Sequence, residues 1–314
     1  MIAFPTTPTA AVRLAGTIRA GATDVEERRR SGRLNGDVVD LRDLAIGAPE
    51  LVSLSVSSGL SLGALVRVSA LDTPALAPWN GLREAAQTLA TPQIRPVATV
   101  GGALLQQNRC GYLRHPDLRA ACYKAGGGGC AARTGDHLRH ALFDTGACIS
   151  VHPSTLACAL IAYGASYGVQ DREGTRIAGA LEGLYGDGSD ALKDHLLPAG
   201  TLLTGVHIFE PPRPAAGFEP SAYARATGRV WAEWPLVEAV VRRTTVGVVF
   251  SVGGVAPVPL RLRTAERAFD SGATVADAVA EECASRLILD DTRYKVQLLV
   301  GLLQHLLERT ASAP

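Results

Sequence analysis

The sequence is poor in methionine and aromatic residues, and its charges almost cancel. Its 314 residues include one methionine and 5% aromatic residues, and the formal net charge is +1. A near-neutral chain offers no electrostatic reason to bind nucleic acid or an anionic membrane surface. No apolar run approaches the length of a membrane-spanning helix. Composition therefore predicts a globular, alanine-rich protein of two or three domains, with neither nucleic acid nor membrane as a partner.

Several patterns that would assign a function directly are also missing. No G-x-G-x-x-G follows a predicted strand, which argues against a Rossmann dinucleotide site. No Ser/His/Asp or paired-carboxylate arrangement is recognisable, so no catalytic residue is assigned. The first residues lack a basic region followed by an apolar one. We therefore expect a cytoplasmic protein, and periplasmic export together with a signal-bearing partner also fits the sequence.

Cysteine is the residue whose distribution is most informative. Four of the six cysteines fall within 39 consecutive residues, separated by eleven, seven and seventeen residues. They are Cys110, Cys122, Cys130 and Cys148. Free cysteines are often small buried hydrophobic residues, as we interpret Cys158 and Cys283 in their helix-like surroundings. Clustering in a polar segment, with Gly126 to Gly129 before the third cysteine, instead favours ligation of a soft metal centre.

The spacing leaves the kind of centre open. Structural zinc usually takes paired C-x2–4-C knuckles, and none is present here. Four widely spaced cysteines suit an iron–sulfur cluster, which takes thiolates from several directions. A disulfide framework is an alternative, although a chain of this length can build its own core. Four nearby histidines are interpreted as packing or hydrogen-bonding residues rather than ligands: His115, His137, His140 and His152.

Two segments with small residues could approach a ligand closely. Residues 17–20 predict a strand and residues 25–30 a helix that Asp24 can cap, so the turn between them exposes backbone N–H groups suited to phosphate. Such a turn is more often purely structural. Further along, residues 94–100 predict a strand that ends in a glycine turn at Gly101 and Gly102. Strands are also predicted at 38–41 and 51–56, and a helix at 82–89.

Five segments together resemble one family. They are residues 95–102, 109–110, 122–124, 139–143 and 148–154. They are similar to the flavin subunit of molybdenum hydroxylases, the xanthine dehydrogenase and aldehyde oxidoreductase type of enzyme. Within it, the chain looks like the bacterial branch whose flavin subunit carries an extra [4Fe–4S] cluster in an inserted loop. The resemblance extends over nearly the whole chain, and the cysteine insertion is its most specific part.

The resemblance implies an α+β fold. A two-part FAD-binding domain of the PCMH and CO dehydrogenase flavoprotein type is expected at 1–212, with subdomains of about 1–55 and 56–212 and the cysteine loop at 108–148. A small C-terminal α+β domain like that of CO dehydrogenase flavoproteins is expected at 218–314, after a proline-rich linker at 211–217. In that domain we expect strands near 236–243 and 245–252, and helices near 264–269, 275–286 and 293–309.

The resemblance also implies two cofactors, FAD and a [4Fe–4S] cluster held by the four clustered cysteines. The residues it assigns to FAD are Ala20, Gly21, Ala22, Thr23, Asp24, Thr99, Gly101, Gly102, Ser154, Thr155, Leu202 and Arg225. Three positions depart from the family pattern. Ala22 stands where the family has glycine, Ala103 where it has asparagine, and Thr155 where it has aspartate. Alanine at the first of these would be strained if the loop needs a positive φ.

The function implied is electron transfer. Electrons from a molybdenum-cofactor large subunit would pass through a [2Fe–2S] small subunit to the FAD of this chain, and then to an external acceptor. Two alternatives stay compatible with the altered loops. One is a stand-alone flavoenzyme on the same fold in a biosynthetic pathway, and the other is a cluster-binding remnant without FAD.

Overall fold

Three sheets, each packed on its own helices, form the described part of the chain. A computed structural model describes residues 1–44, 48–56, 59–209 and 219–311. Within these residues no helix is both long enough and apolar enough to cross a membrane. The predicted linker at 211–217 lies outside the described residues, so the domain division stays a prediction.

The first sheet is parallel and small. Its strands are β1 (Ile2–Ala3), β2 (Thr17–Arg19) and β3 (Val38–Asp40), in the order β1-β3-β2. Helix α1 (Pro8–Ala11) precedes β2, and α2 (Val25–Arg30) connects β2 to β3, since parallel neighbours need a crossover connection. The predicted strands at 17–20 and 38–41 and the helix at 25–30 are confirmed.

The second sheet is antiparallel and contains five strands in the order β4-β5-β8-β6-β7. The strands are β4 (Leu54–Ser55), β5 (Leu60–Gly63), β6 (Ser166–Gln170), β7 (Thr175–Ala180) and β8 (Leu202–Ile208). Its helices are α3 (Asn80–Thr88), α4 (Val100–Leu104), α5 (Gly111–Arg114) and α6 (Thr155–Ala162). The main core of this part joins sheet and helices through buried leucines such as Leu62, Leu82 and Leu160.

Two strand predictions in this region are wrong. Residues 94–98 form turns and α4 follows them, because the Thr99 hydroxyl accepts a hydrogen bond from the Gly102 N–H (3.2 Å) and caps a helix. The glycine pair therefore lies in a first helical turn. Of the predicted strand at 51–56, only Leu54 and Ser55 form a strand, β4, and Leu51 and Val52 end the 3₁₀ helix Pro49–Val52.

The third sheet is antiparallel, in the order β12-β11-β10-β9. Its strands are β9 (Ser221–Ala226), β10 (Val237–Thr244), β11 (Gly247–Gly253) and β12 (Leu260–Arg261). Helices α7 (Arg263–Asp270), α8 (Val275–Ala284) and α9 (Tyr294–Ala311) cover it and enclose a second core. The strands and helices predicted for the C-terminal region are confirmed.

Helix α6 joins the second and third sheets. All eight of its residues are buried, as expected for a helix that is apolar all round. The Ser251 hydroxyl on β11 donates a hydrogen bond to the Cys158 carbonyl of α6 (2.7 Å). Cys158 is fully buried, as predicted, whereas Cys283 on α8 is only partly buried. The helix therefore contacts β10 and β11 of the third sheet and also α3 and α4.

Candidate functional site

The loop from Ala20 to Asp24 connects β2 to α2. A Cβ on Gly21 would lie 2.2 Å from the Val97 carbonyl oxygen, so only glycine lets this loop pack against the residues before α4. Ala22 has φ +63°, in the left-handed region. Its carbonyl oxygen accepts the Glu26 N–H (3.0 Å) at the start of α2. The position does require a positive φ, and alanine is strained there.

The start of α4 lies beside this loop. Gly101 is buried, and a Cβ on it would lie 3.0 Å from the Cβ of Ala64. Gly102 is exposed, and a Cβ there would contact only the Thr99 hydroxyl within 4 Å. Together with the first loop, these residues border a cavity of about 750 Å³, which we call the first cavity. That volume is within the range of cofactor pockets.

Nine of the twelve residues assigned to FAD line the first cavity. They are Ala20, Gly21, Ala22, Thr23, Asp24, Thr99, Gly101, Gly102 and Leu202. Three arginines, Arg13, Arg28 and Arg172, also line it and would favour an anionic ligand. Within the described residues, the buried Arg28 Nε and His195 Nδ1 have no hydrogen-bond partner. Unpaired polar atoms, cationic side chains and a close backbone approach together fit the pyrophosphate of a dinucleotide.

Asp24 does not cap α2 with its side chain, contrary to the prediction. Its Oδ1 lies 3.1 Å from Arg109 Nη1, and its Oδ2 accepts the Gln107 N–H at 3.3 Å. The carboxylate is drawn away from the helix terminus because a guanidinium offers a stronger, charge-assisted partner. Asp24 therefore connects the first loop to the residues that precede the cysteine segment.

Arg109 contacts three parts of the chain. Besides Asp24, its guanidinium donates to Gln106 Oε1 (3.0 Å) and lies over the Trp234 ring, 4.9 Å from the ring centroid. Its side chain is only 15% exposed. Burial lowers the pKa of the Arg109 guanidinium, and the carboxylate of Asp24 opposes that shift. The arginine links the first loop, the cysteine segment and the third sheet.

The cysteine segment folds back on itself through its glycines. The Tyr123 N–H donates to the Gly129 carbonyl (3.1 Å), and the Gly129 N–H donates to the Ala121 carbonyl (2.9 Å). A Cβ on Gly127 would lie 2.3 Å from the Ala121 carbonyl carbon, so the fold-back needs glycine. It brings the third cysteine of the segment next to the second.

All four clustered cysteines line one small cavity, and none forms a disulfide. Burial raises the pKa of the Cys110 thiol to about 11, and the neighbouring Cys148 and Cys122 add to the shift. Within the described residues, no three His, Cys, Asp or Glu side chains are arranged to hold a single metal ion. The cavity of about 20 Å³ has room for roughly one water molecule. The donor set of four thiols suits a soft cluster.

Two histidines beside the cysteines are buried. His140 Nε2 lies 3.3 Å from Cys110 Sγ, and burial lowers its pKa to about 4. Burial lowers the pKa of His152 to about 3, and its ring meets Tyr185 edge-on at 4.5 Å. His140 Nδ1 and His152 Nε2 have no hydrogen-bond partner among the described residues. Both rings border a second, larger space.

This second cavity has a volume of about 710 Å³ and lies between the cysteine segment and the third sheet. Cys110 is common to it and to the small cysteine cavity. Arg109 borders the second cavity and pairs with Asp24 of the first. Trp234 and Glu238 line its opposite side. The two large cavities are therefore neighbours across one ion pair.

The remaining three residues assigned to FAD lie outside the first cavity. Ser154 caps α6 by accepting the Ala157 N–H (3.1 Å), and Thr155 donates to Glu238 Oε2 (2.8 Å). Arg225 donates to the carbonyl oxygens of Thr88 and Glu233. Their assignment to the flavin stays a prediction.

The described geometry can now be compared with known proteins. A family model for the FAD binding domain in molybdopterin dehydrogenase matches residues 14–211. The chain belongs to this family. The aldehyde oxidoreductase FAD-binding subunit PaoB of Escherichia coli K12 is 30% identical over 244 residues, which are 75% of this chain and 73% of that protein. As a member of the FAD-binding family, the chain is an oxidoreductase subunit.

Solved structures confirm the predicted fold. Quinoline 2-oxidoreductase from Pseudomonas putida 86 matches with a TM-score of 0.72 and 18% identity, covering 99% of this chain and 97% of that chain. CO dehydrogenase from Oligotropha carboxidovorans matches with a TM-score of 0.69 and 20% identity, covering 99% and 98%. The α+β fold of these flavoproteins therefore extends over the whole described chain.

Two buried charged residues near the site, Glu238 and Lys295, were not predicted from the sequence. Glu238 is an acid within a strand of buried apolar residues, and Lys295 is a fully buried lysine on α9. Lys295 Nζ donates to the carbonyl oxygens of His140 (2.6 Å) and Gly254 (2.7 Å), and burial lowers its pKa to about 7. A lone charge in an apolar run was the available signal for Glu238, whereas Lys295 follows Asp290, Asp291 and Arg293 and has no such signal.

Proposed function

We propose that this chain is the FAD- and [4Fe–4S]-containing electron-transfer subunit of a molybdenum-dependent aldehyde oxidoreductase or xanthine dehydrogenase-like complex. Its partners would be a molybdenum-cofactor large subunit and a [2Fe–2S] small subunit. Electrons from molybdenum would reach this chain through the small subunit and leave it to an external acceptor. Bound flavin supplies the exchange between two-electron and one-electron chemistry, while the protein binds it, orients it and excludes water.

The observation that carries this proposal is the shared position of Cys110. Four free cysteines border one small cavity, and one of them, Cys110, also borders the second cavity. A cluster ligand that touches the flavin site would keep two redox centres close together. The identity of 30% with a subunit of an aldehyde oxidoreductase supports the same class of complex.

The first cavity would hold the pyrophosphate and the second cavity the redox-active ring. Backbone N–H groups of the first loop, together with Arg28, would bind the phosphates, since cationic and N–H donors suit anionic oxygens. Arg109 lies between the cavities, where its pairing with Asp24 fixes the first loop against the cysteine segment. The four cysteines, of which Cys148 is buried and Cys110 lies 3.3 Å from the neutral imidazole of His140, would provide thiolates to the cluster once iron displaces their protons.

Two specific observations favour the alternative without FAD. The strained Ala22 and the engagement of Thr155 with Glu238 both weaken the resemblance to a working flavin site. A chain that binds the cluster alone would tolerate both changes.

Anaerobic purification followed by quantification of iron, sulfide and flavin tests the proposal. We expect flavin together with about four iron atoms per chain. Cys130→Ser should lose most of the iron, whereas the matched control Cys283→Ser, outside the cysteine segment, should keep it. Iron without flavin would contradict the electron-transfer role and favour the alternative. Substrate turnover by the isolated chain would point to a stand-alone flavoenzyme instead.

A further inference from the structure

Glu238 is a buried acid that the proposed function does not yet use. It is 1% exposed and lies on β10 among buried apolar neighbours, Val237 and Ala239 to Val241. Burying a carboxyl group costs free energy unless it is hydrogen-bonded. The position lines the second cavity, opposite the cysteine segment.

Both hydrogen bonds that the carboxyl group receives go to one oxygen. Glu238 Oε2 accepts from the hydroxyls of Thr155 (2.8 Å) and Tyr223 (2.7 Å). Within the described residues, Oε1 receives no hydrogen bond. Gly253 is the residue opposite Glu238 in the β10–β11 ladder, and a Cβ there would lie 2.5 Å from Oε1. The glycine leaves room for the carboxyl group, which lines the second cavity and has one oxygen without a hydrogen-bond partner among the described residues.

We propose that Glu238 is the proton-exchanging carboxyl group of the second cavity, where it takes up a proton when the bound flavin gains electrons. This inference rests on the proposed function. Two electrons arrive one at a time from an iron–sulfur donor, and solvent supplies a proton to Glu238 in addition to any proton that the flavin itself binds. Glu238 releases that proton when the electrons leave. Negative charge added beside a buried carboxylate favours its protonated form, since the low-dielectric surroundings screen the repulsion weakly.

The buried tyrosine, cysteine and histidine near Glu238 have pKa values that burial moves away from neutral pH. Burial raises the pKa of Glu238, and hydrogen bonds from Tyr223 and Thr155 and the charge of Arg225 oppose that shift. Burial raises the pKa of Tyr223 on β9 and of Cys158 on α6 further above neutrality. His152, ahead of α6, is kept neutral, and Arg109, which borders the same cavity, stays charged. Of Glu238, Tyr223, Cys158 and His152, only Glu238 has a pKa that burial shifts toward neutral pH.

The test measures proton uptake against flavin reduction. FAD-loaded wild-type chain, Glu238→Gln and the control Glu282→Gln are titrated with dithionite and redox mediators, and visible absorbance gives the flavin midpoint potential at each pH. Glu282 is equally buried at 1% but lies outside the second cavity. We expect the wild type and the control to take up as much as one more proton per two electrons than Glu238→Gln. An infrared difference spectrum should contain a carboxylic-acid band that Glu238→Gln lacks.

Two further outcomes keep the inference separate from the proposed function. Equal pH slopes in wild type and Glu238→Gln, with flavin bound in both, would overturn the role of Glu238 and leave the proposed function standing. A wild-type chain that binds no FAD would overturn both. If Glu238→Gln does not fold, Tyr223→Phe replaces it, because loss of that hydroxyl raises the pKa of Glu238 and should move the change of slope to higher pH. An unmoved slope in Tyr223→Phe also refutes the inference.

Discussion

Replacing Ala22 with glycine should stabilise the protein. Ala22 has φ +63°, where the Cβ of an L-residue approaches the following carbonyl oxygen at a cost of about 1–2 kcal/mol. Glycine removes that cost, but its greater freedom in the unfolded chain takes back about 0.4–1 kcal/mol. The expected net gain in the free energy of unfolding is therefore about 0.5–1 kcal/mol.

The same substitution should leave FAD affinity almost unchanged. The loop conformation is held by Gly21 against Val97 and by the bond from Glu26 to the Ala22 carbonyl at the start of α2. We expect the same positive φ with and without the ligand, so the relief of strain cancels in the binding equilibrium. If the loop instead relaxed when FAD leaves, the strain would exist only in the bound state. Ala22→Gly would then bind FAD about two to five times more tightly than the wild type, since 1.4 kcal/mol is a tenfold change in affinity.

Ala90 provides the matched control. It is the other alanine with a positive φ in the described residues, at +51°, and it borders neither large cavity. Calorimetric and urea unfolding of wild type, Ala22→Gly and Ala90→Gly should give similar gains for both variants, and fluorescence titration should give equal dissociation constants for FAD. An unchanged or lower stability of Ala22→Gly beside a stabilised Ala90→Gly would refute the account of strain in the loop.

Three further substitutions test contacts of the site. Gly21→Ala places a Cβ 2.2 Å from the Val97 carbonyl oxygen and should lower FAD affinity at least tenfold in a titration, whereas Gly128→Ala, with no atom within 4 Å, should leave it unchanged. Arg109→Ala removes the nearer of the two arginines that pair with Asp24, with Arg28 remaining at 3.6 Å, and should cost about 2 kcal/mol in urea unfolding; a loss no larger than that of an exposed arginine would contradict the linking role. Lys295→Met tests a buried lysine whose pKa of about 7 in the folded protein lies below the unfolded value. Between about pH 7 and pH 10 the unfolded chain then binds more protons at Lys295 than the folded protein does. The free energy of unfolding of the wild type, relative to that of Lys295→Met, should therefore rise with pH by up to about 1.4 kcal/mol per pH unit in this range. A difference between the two proteins that does not change with pH would contradict the lowered pKa of Lys295.

Local signals predicted the elements whose periodicity and caps agree with their packing. Helices α7 to α9 and the hairpin of β10 and β11 lie close to where the sequence indicated them. Residues 94–100 were wrongly predicted as a strand because their β-branched residues favour one. The Thr99 cap and the close packing of Gly101 on Ala64 instead stabilise a helix from Val100. The contact between Gly101 and Ala64, which are distant in sequence, thus outweighs the strand propensity of these residues.

The site depends on such distant contacts even more than the fold does. Asp24 has the sequence position of a helix cap, yet its carboxylate pairs with Arg109, and Thr155 has the position of a ligand residue, yet its hydroxyl bonds to Glu238. In each case the polar side chain bonds to a charged residue that is distant in sequence. A local sequence pattern cannot predict such a partner. The cysteines could be singled out because four of them lie within 39 consecutive residues of a polar segment. The carboxylates could not, because Asp24 meets Arg109 and Glu238 meets Thr155 only when segments distant in sequence pack together.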